Sequence, residues 1–291
     1  PMYAAVGARA MVDATGDKVL VLVDGQEIND EVFGLVFWQA LPIHLADVER
    51  IEVIRGPGSA LYGANAHSMV VSIFTRRETD SPAEVHLEAG EMGRTSLHAR
   101  TGGLLGDLRL TLSGGLDTDT SRATPRKTER QVHRLRLQAS YQARGFDLAG
   151  HAGLTAAEGA IETFLGPTRL EDALFTDAQV SASKDWFHSR VSFRMFRAEV
   201  PFQPSTVHVE GVVIGQVPAR LQLLSTNLDA ETQATLKPFD GNLLIVGGNY
   251  RWISANVEEA SPATIHQHRV GAFVHDEQTL LDCLTLTAGV R

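Results

Sequence analysis

His266 and His268 lie two apart on one face of an extended segment, a spacing that suits a metal ion or haem iron. No third ligand stands near them, so side chains facing water in a lumen or loop are the better reading. Gly56-Pro-Gly-Ser-Ala-Leu-Tyr-Gly63 has the glycines of a phosphate-cradling loop. It lacks the Lys-Ser/Thr that such a loop needs, and Pro57 removes a backbone donor. A dinucleotide loop would need glycine at Leu61. Gly-x-Ser-x-Gly is absent, and no Ser-His-Asp set or carboxylate pair stands out. Cys283 is the single cysteine, which excludes an intrachain disulfide and a cysteine-based metal site. The expectation is a protein that is not an enzyme, with no cofactor and no bound metal. A formal charge of -9 argues against a nucleic-acid partner, which needs clustered Lys and Arg. The remaining candidate is an aromatic stretch, Phe33, Phe37 and Trp38, between Asp24-Gly25 and Leu41-Pro42. Large rings offer contact area at little entropic cost.

The elements that position these residues change character near residue 80. Up to there the chain reads as mixed α and β. Lys18–Val23 is a short strand closed by the turn pair Asp24-Gly25. Leu41, Leu45, Val48 and Ile51 recur at helical spacing, with Asp47 placed to help start a helix. Ile51 to Arg55 reads as a strand stopped by Gly56-Pro57-Gly58. Ser59 caps a helical turn through Tyr62 that Gly63 ends, and Met69 to Arg77 is a further strand.

From Ala83 onward single aliphatics alternate with polar residues. Leu108, Leu110 and Leu112 interleave with Arg109, Thr111 and Ser113; Leu135 and Leu137 with Arg134, Arg136 and Gln138; Val191 and Phe193 with Arg190, Ser192 and Arg194; Leu228 and Leu236 flank the same pattern around Asp229; Leu286 and Val290 close it. The segments run near 83–90, 94–102, 106–117, 131–144, 145–157, 172–184, 187–199, 221–237, 242–257, 267–280 and 283–291. A period of two gives one apolar and one polar face, which fits a soluble sandwich or a membrane barrel. Segments longer than ordinary strands, with Arg, Asp, Glu and Gln on the polar face, favour the barrel. So do the connections: short ones at Leu104–Gly106 and Arg144-Gly145 are followed by long ones at 117–130, 156–171 and 201–220. The sequence predicts Leu108, Leu110, Leu135, Leu137, Val191, Phe193, Leu228, Leu236, Leu286 and Val290 facing lipid. Arg109, Arg136, Arg190, Arg194 and Asp229 face the lumen.

Ile51-Glu-Val-Ile-Arg-Gly-Pro-Gly-Ser-Ala-Leu-Tyr-Gly-Ala-Asn-Ala66, preceded by Val19-Leu-Val-Leu-Val-Asp-Gly25, resembles the second half of the plug domain of TonB-dependent outer-membrane receptors. Asp24, Gly25, Glu52, Arg55, Gly56, Pro57, Tyr62 and Gly63 carry the likeness as structural positions, with Met69 and Ser72 standing where the family usually has Gly and Asn. Val70–Thr75 continues it, and Gly271–Glu277 and Leu284–Arg291 are similar to mid-barrel strands. The resemblance implies a mainly β fold: a partial antiparallel up-and-down transmembrane β-barrel at 81–291, preceded by a small α/β plug remnant at 1–80. It implies TonB-driven uptake of a scarce ligand, a ferric siderophore first, then cobalamin, haem or an oligosaccharide. It also implies the outer membrane of a Gram-negative bacterium, contact with its lipid, and TonB as partner through an N-terminal box outside this sequence. Phe33, Phe37 and Trp38 then lie near the plug's extracellular apex, where ligand rests, or seat the plug against the barrel wall. A passive porin or structural barrel has the same strands but no use for the plug motif. A soluble β-rich binding module would show a dry core instead of an aliphatic outer band.

Overall fold

The computed structural model describes residues 19–30, 34, 36–56, 68–77, 83–120, 129–163, 166–201, 205–209, 212–217, 220–258, 264–280 and 284–290. Two sheets organise them. The smaller comprises β1 (Val19–Val23), β2 (Gln26–Glu27), β3 (Val48–Arg55) and β4 (Met69–Thr75), in the order β2-β1-β4-β3. β1 runs parallel to β4, with Val19 opposite Met69 and Val23 opposite Ile73. Asp24 and Gly25 both have positive φ, 49° and 84°, the two-residue turn that joins antiparallel β1 and β2. β1 is buried on both faces, which is why it reads as an unbroken apolar run. Val19, Val21 and Val23 pack with Val36, Ile43, Met69 and Ile73, while Leu20 and Leu22 meet Val70 on the other side. Met69 is thus a core residue, and its side chain is accommodated in the sheet.

The larger sheet has eleven antiparallel strands in chain order. They are β5 (Ala83–Ala89), β6 (Thr95–Leu105), β7 (Leu108–Asp119), β8 (Arg130–Ala143), β9 (Phe146–Thr163), β10 (Gly166–Lys184), β11 (Phe187–Pro201), β14 (Arg220–Leu236), β15 (Asn242–Val257), β16 (Thr264–Leu280) and β17 (Leu284–Val290). Between β11 and β14 a separate hairpin forms from β12 (Ser205–Val209) and β13 (Val212–Val217). The segments from 83 onward are strands, as the alternation predicts. Among the described residues no helix is long and apolar enough to cross a membrane, which leaves a crossing by strands untouched.

Two expectations are corrected. Residues 41–51 form no α-helix: a single 3-10 turn, Leu45–Asp47, leads straight into β3, and Asp47 ends the turn instead of starting it. Val48 and Ile51 belong to a strand, so their helical spacing was coincidental. The predicted loop 156–171 is mostly strand, because β9 and β10 continue to Thr163 and from Gly166. Alternation fades there for two reasons. The inward face turns apolar at Ala157, Ile161, Leu170 and Ala173, and a bulge between Leu170 and Ala173 slips the register, with Asp172 at a φ of 48°. The stretch 201–220 holds the β12–β13 hairpin. The turn expected at 59–62 lies outside the described residues.

Facing follows the sequence. Leu112, Leu135, Leu137, Val191, Leu228 and Leu236 are exposed on the outer face, whereas Arg136, Ser113, Ser192 and Asn227 are buried on the inner one. Across the strands, Leu112, Leu137, Ala152, Ala178, Phe193 and Leu228 form one outward row. His266 and His268 sit on this outer face. They pair with Ser254 and Trp252, one residue out of phase with Arg251 and Arg269, which look inward. Neither lumen nor loop holds them: Tyr250 Oη lies 2.9 Å from His268 Nδ1, and the His266 ring stacks at 6.3 Å on Trp252. Amphipathic rings of this kind suit a membrane interface.

Leu137, in the middle of its row, sets a test of facing. In the full-length protein, Leu137→Arg should cost roughly 2–4 kcal/mol of stability in lipid, read from unfolding in denaturant, because a charge then enters hydrocarbon. A loss under half that would reverse the assigned face.

Candidate functional site

The two sheets meet along a polar seam on the inner face of the larger one. Its anchor is Asp47, which is 2% exposed. The 3-10 turn places its carboxylate, since His44 caps that turn: the His44 amide donates to Asp47 Oδ2 (3.3 Å) and the Ala46 amide donates to His44 Nδ1 (3.1 Å). Strand β6 then brings Arg100 Nη1 to 3.0 Å and His98 Nε2 to 3.2 Å from Asp47 Oδ1, and β7 brings Ser113 Oγ to 3.2 Å from Oδ2. Burial alone would raise this carboxyl's pKa. The hydrogen bond and charge of His98, then the Arg100 hydrogen bond, outweigh it and hold the value at about 2. His44 stacks on His98 at 4.5 Å, and burial, then His98, lowers its pKa. With Nδ1 accepting, its proton sits on Nε2, 3.2 Å from Ser96 Oγ.

A second anchor is the β1–β2 turn. Asp24 accepts from the Thr75 amide (2.9 Å) and hydroxyl (2.7 Å) within the small sheet, and from Arg136 Nη2 (3.0 Å) of β8. Arg136 also reaches Asp177 of β10 at 3.2 Å, while Gln179 donates to the Asp24 carbonyl (2.9 Å) and Gln138 to Thr75 Oγ1 (2.7 Å). Further along, wall arginines grip backbone carbonyls. Arg190 donates to Gly25, Arg194 to Glu27 (2.7 Å) and Asn29, and Arg134 to Leu41 (2.8 Å) and Gln39. Arg251 pairs with Glu27 and Asp229.

One apolar contact completes the seam. Phe37, 5% exposed, sits 5.5 Å from the ring of Phe175 and 5.3 Å from Phe196, in a cluster with Ala40, Val132, Leu170 and Val200. Those wall residues lie near the strand ends joined by the longer connections. Trp38 is half-buried and packs on the small-sheet core. Phe33, Pro57, Tyr62 and Gly63 lie outside the described residues. Glu52 and Arg55 are exposed on β3, Glu52 paired with Arg50 at 2.7 Å, and Gly56, with φ 112°, donates to the Ser68 carbonyl at 2.9 Å. Glu52, Arg55 and Gly56 thus stand apart from the seam that Asp24, Gly25 and Phe37 share. Sequence reading missed Asp47, Thr75, His98, Arg100, Arg134 and Gln179 as seam residues. The available signal was the run of polar side chains on one strand face, which names donors but not their acceptors.

Residues 5–70 match the TonB-dependent Receptor Plug Domain family. The chain is 41% identical over 69 residues to the vitamin B12 transporter BtuB of Vibrio vulnificus (strain CMCP6), covering 24% of this chain and 11% of that protein. Its fold is similar to the siderophore receptor PirA from Pseudomonas aeruginosa, with a TM-score of 0.65 at 19% identity over 99% of this chain and 51% of that one. It is likewise similar to the copper transporter OprC, with a TM-score of 0.68 at 14% identity over 99% and 50%. An antiparallel wall with an aliphatic outer face and a small sheet pinned to its inner face is part of a plugged barrel of the cell outer membrane. Residues 5–70 thus match the plug of TonB-dependent receptors, and the chain spans about half the length of the solved structures it resembles.

The seam generates two predictions for the full-length receptor. Asp47 has a folded pKa held at about 2 against an ordinary 3.8, so its contribution is complete above pH 4 and is lost as pH falls toward 2. That amounts to about 2–3 kcal/mol. Unfolding followed by tryptophan emission should show this acid destabilisation in the native protein and not in Asp47→Asn, which should be weaker at neutral pH by roughly 3–5 kcal/mol, the size of a broken buried pair. Phe37→Ala should cost about 3–5 kcal/mol in the same assay, as large aromatic truncations in packed sites do. A loss below 1 kcal/mol would show that the ring does not seat the plug.

Proposed function

We propose that this chain is the C-terminal part of the plug, residues 1–80, and the first part of the barrel wall, residues 81–291, of a receptor for TonB-dependent active uptake. The carrying observation is the seam itself. A plug fixed by many separate hydrogen bonds to the wall blocks the lumen yet presents mainly polar groups to water when released. Passive diffusion has no use for that arrangement, and active import of a large, dilute ligand does. TonB is the partner that supplies the work, acting on a segment N-terminal to the plug. A ferric siderophore is the first ligand, in line with the siderophore receptor among the fold's neighbours. Cobalamin is the second reading, favoured by the 41% identity to a vitamin B12 transporter. That identity spans 69 residues, 24% of this chain, which leaves most of the chain outside the match.

Phe37 packs at the long-connection end of the wall, the side that faces outward in such barrels, and the stretch Phe33, Phe37 and Trp38 is the proposed ligand contact. In this reading Trp38, half-buried, offers the ligand an aromatic face, and Phe37 fixes the stretch from below. The experiment is calorimetric titration of the purified full-length receptor with ferric catecholate and hydroxamate siderophores, cobalamin and copper. Micromolar or tighter binding of a ferric siderophore, weakened about tenfold or more by Trp38→Ala at unchanged stability, supports the proposal. Tight binding of cobalamin alone selects the second reading. Steady ion conductance through the unmodified protein in planar bilayers would mark it as an open porin instead.

A further inference from the structure

The outer face carries a feature that the plug and its ligand leave unused. At one level of the wall the outward row runs Leu110, Ala139, Gly150, Val180 and Val191, and at the next Leu108, Tyr141, Leu148, Ala182 and Ser189. Most other outward positions nearby are leucine, valine or phenylalanine. Here Ala139, Gly150, Ala182 and Ser189 lower the surface between taller neighbours. The result is a groove of about 490 Å³, open to the side and almost wholly apolar, with Tyr141 and Val180 among its walls. Gly150 cannot be enlarged without cost: a Cβ there would meet the Gln179 carbonyl oxygen at 3.0 Å, so the depression is tied to how β9 and β10 pair.

One level further toward the short turns, beyond the residues that line the groove, stands a cation on the same face. Lys184 lies opposite Phe187, with its amine 5.1 Å from the centre of the Phe146 ring. Asp147, on neighbouring β9, is on the opposite face of the sheet, where it accepts from Gln142 at 2.8 Å, and Asp185 follows Lys184 in the β10–β11 turn. The amine therefore stands on the outer face beside an aromatic ring, one level beyond the apolar groove. Short turns mark the periplasmic end of such a barrel, so this cation lies at the headgroup level of the periplasmic leaflet. A Lys at that depth, with its stem along apolar surface and its head at the interface, is placed to meet an anion.

We propose that this groove holds one acyl chain of an anionic phospholipid of the periplasmic leaflet, with Lys184 on its phosphate. The occupant follows from the surface and the charge together: an apolar depression with a lysine one level beyond it fits an acyl chain with an anionic head. A flat partner surface would leave the depression empty. Ordinary solvating lipid exchanges freely along a smooth wall, whereas a chain lying in a depression between taller side chains gains more dispersion contacts and stays longer.

The test is native mass spectrometry of the full-length receptor released from nanodiscs containing phosphatidylglycerol, with heat-modifiable gel migration as the check on barrel folding. The unmodified receptor should retain at least one phosphatidylglycerol. Ala182→Leu, which fills the groove and keeps the outer face apolar, should lose it, while Ala230→Leu, further along the same face, should not. Lys184→Gln should retain about fivefold less, the factor that one cation near an anionic surface contributes, and exchange of phosphatidylglycerol for phosphatidylcholine should act alike. Equal lipid retention by Ala182→Leu overturns the groove, and equal retention by Lys184→Gln overturns the headgroup contact. Retention of a second receptor copy that Ala182→Leu abolishes would assign the groove to protein contact and likewise overturn the proposal.

Discussion

A carboxylate taken out of water must find hydrogen-bond donors, and the placement of the plug depends on how two aspartates meet that requirement. Asp47 is buried at the boundary of the two sheets, and four groups fill its oxygens: one comes from its own turn and two strands of the wall provide the other three. Asp24 divides its acceptors in the same way, between Thr75 behind it and Arg136 in front. Each sheet therefore completes the other's polar groups. A plug rotated by one strand, or shifted by one residue, would strand a buried charge, at a penalty of several kcal/mol for each. The register of the wall and the position of the plug are in this sense one constraint.

The remaining contacts follow from that constraint. Arg134, Arg190 and Arg194 reach plug carbonyls that no strand partner serves, since the small sheet is too narrow to satisfy its own edges. Guanidinium groups suit the task because several fixed donors can serve two acceptors at once. Apolar packing is confined to the end where Phe37 meets Phe175 and Phe196, and there the inner wall changes from polar to aliphatic. The chain thus holds its plug by directional bonds over most of the seam and by shape at one end.

Much of the larger sheet was legible because the period of two is imposed twice, by lipid outside and water or plug inside. Leu135 and Leu137 against Arg134 and Arg136 show it plainly. It failed at 156–171 for a physical reason: Ala157, Ile161 and Leu170 face the apolar end of the plug while charged residues such as Glu158 stand on the outer face, so the usual pattern is inverted, and the bulge at 171–172 breaks the phase. The seam was only half legible. Inward arginines announce that acceptors exist, but Asp47 was read as a helix start, since nothing local tells that a carboxylate will be enclosed by strands fifty residues further on. The histidines at 266 and 268 show the converse. Their polarity suggested water, while the register of β16 turns them outward, where their neighbours are Tyr250 and Trp252.

The parallel pairing of β1 with β4 has a mechanical consequence. β1 lies between β2 and β4, so tension applied along it from its N-terminal side loads the β1–β4 bonds in shear, and they must yield together. The contacts of the seam are side-chain bonds set at intervals, which yield one after another under load. A pull on the chain ahead of β1 therefore meets a stiff element attached through a weaker, serial fastening. Under such a load the small sheet holds together longer than the seam.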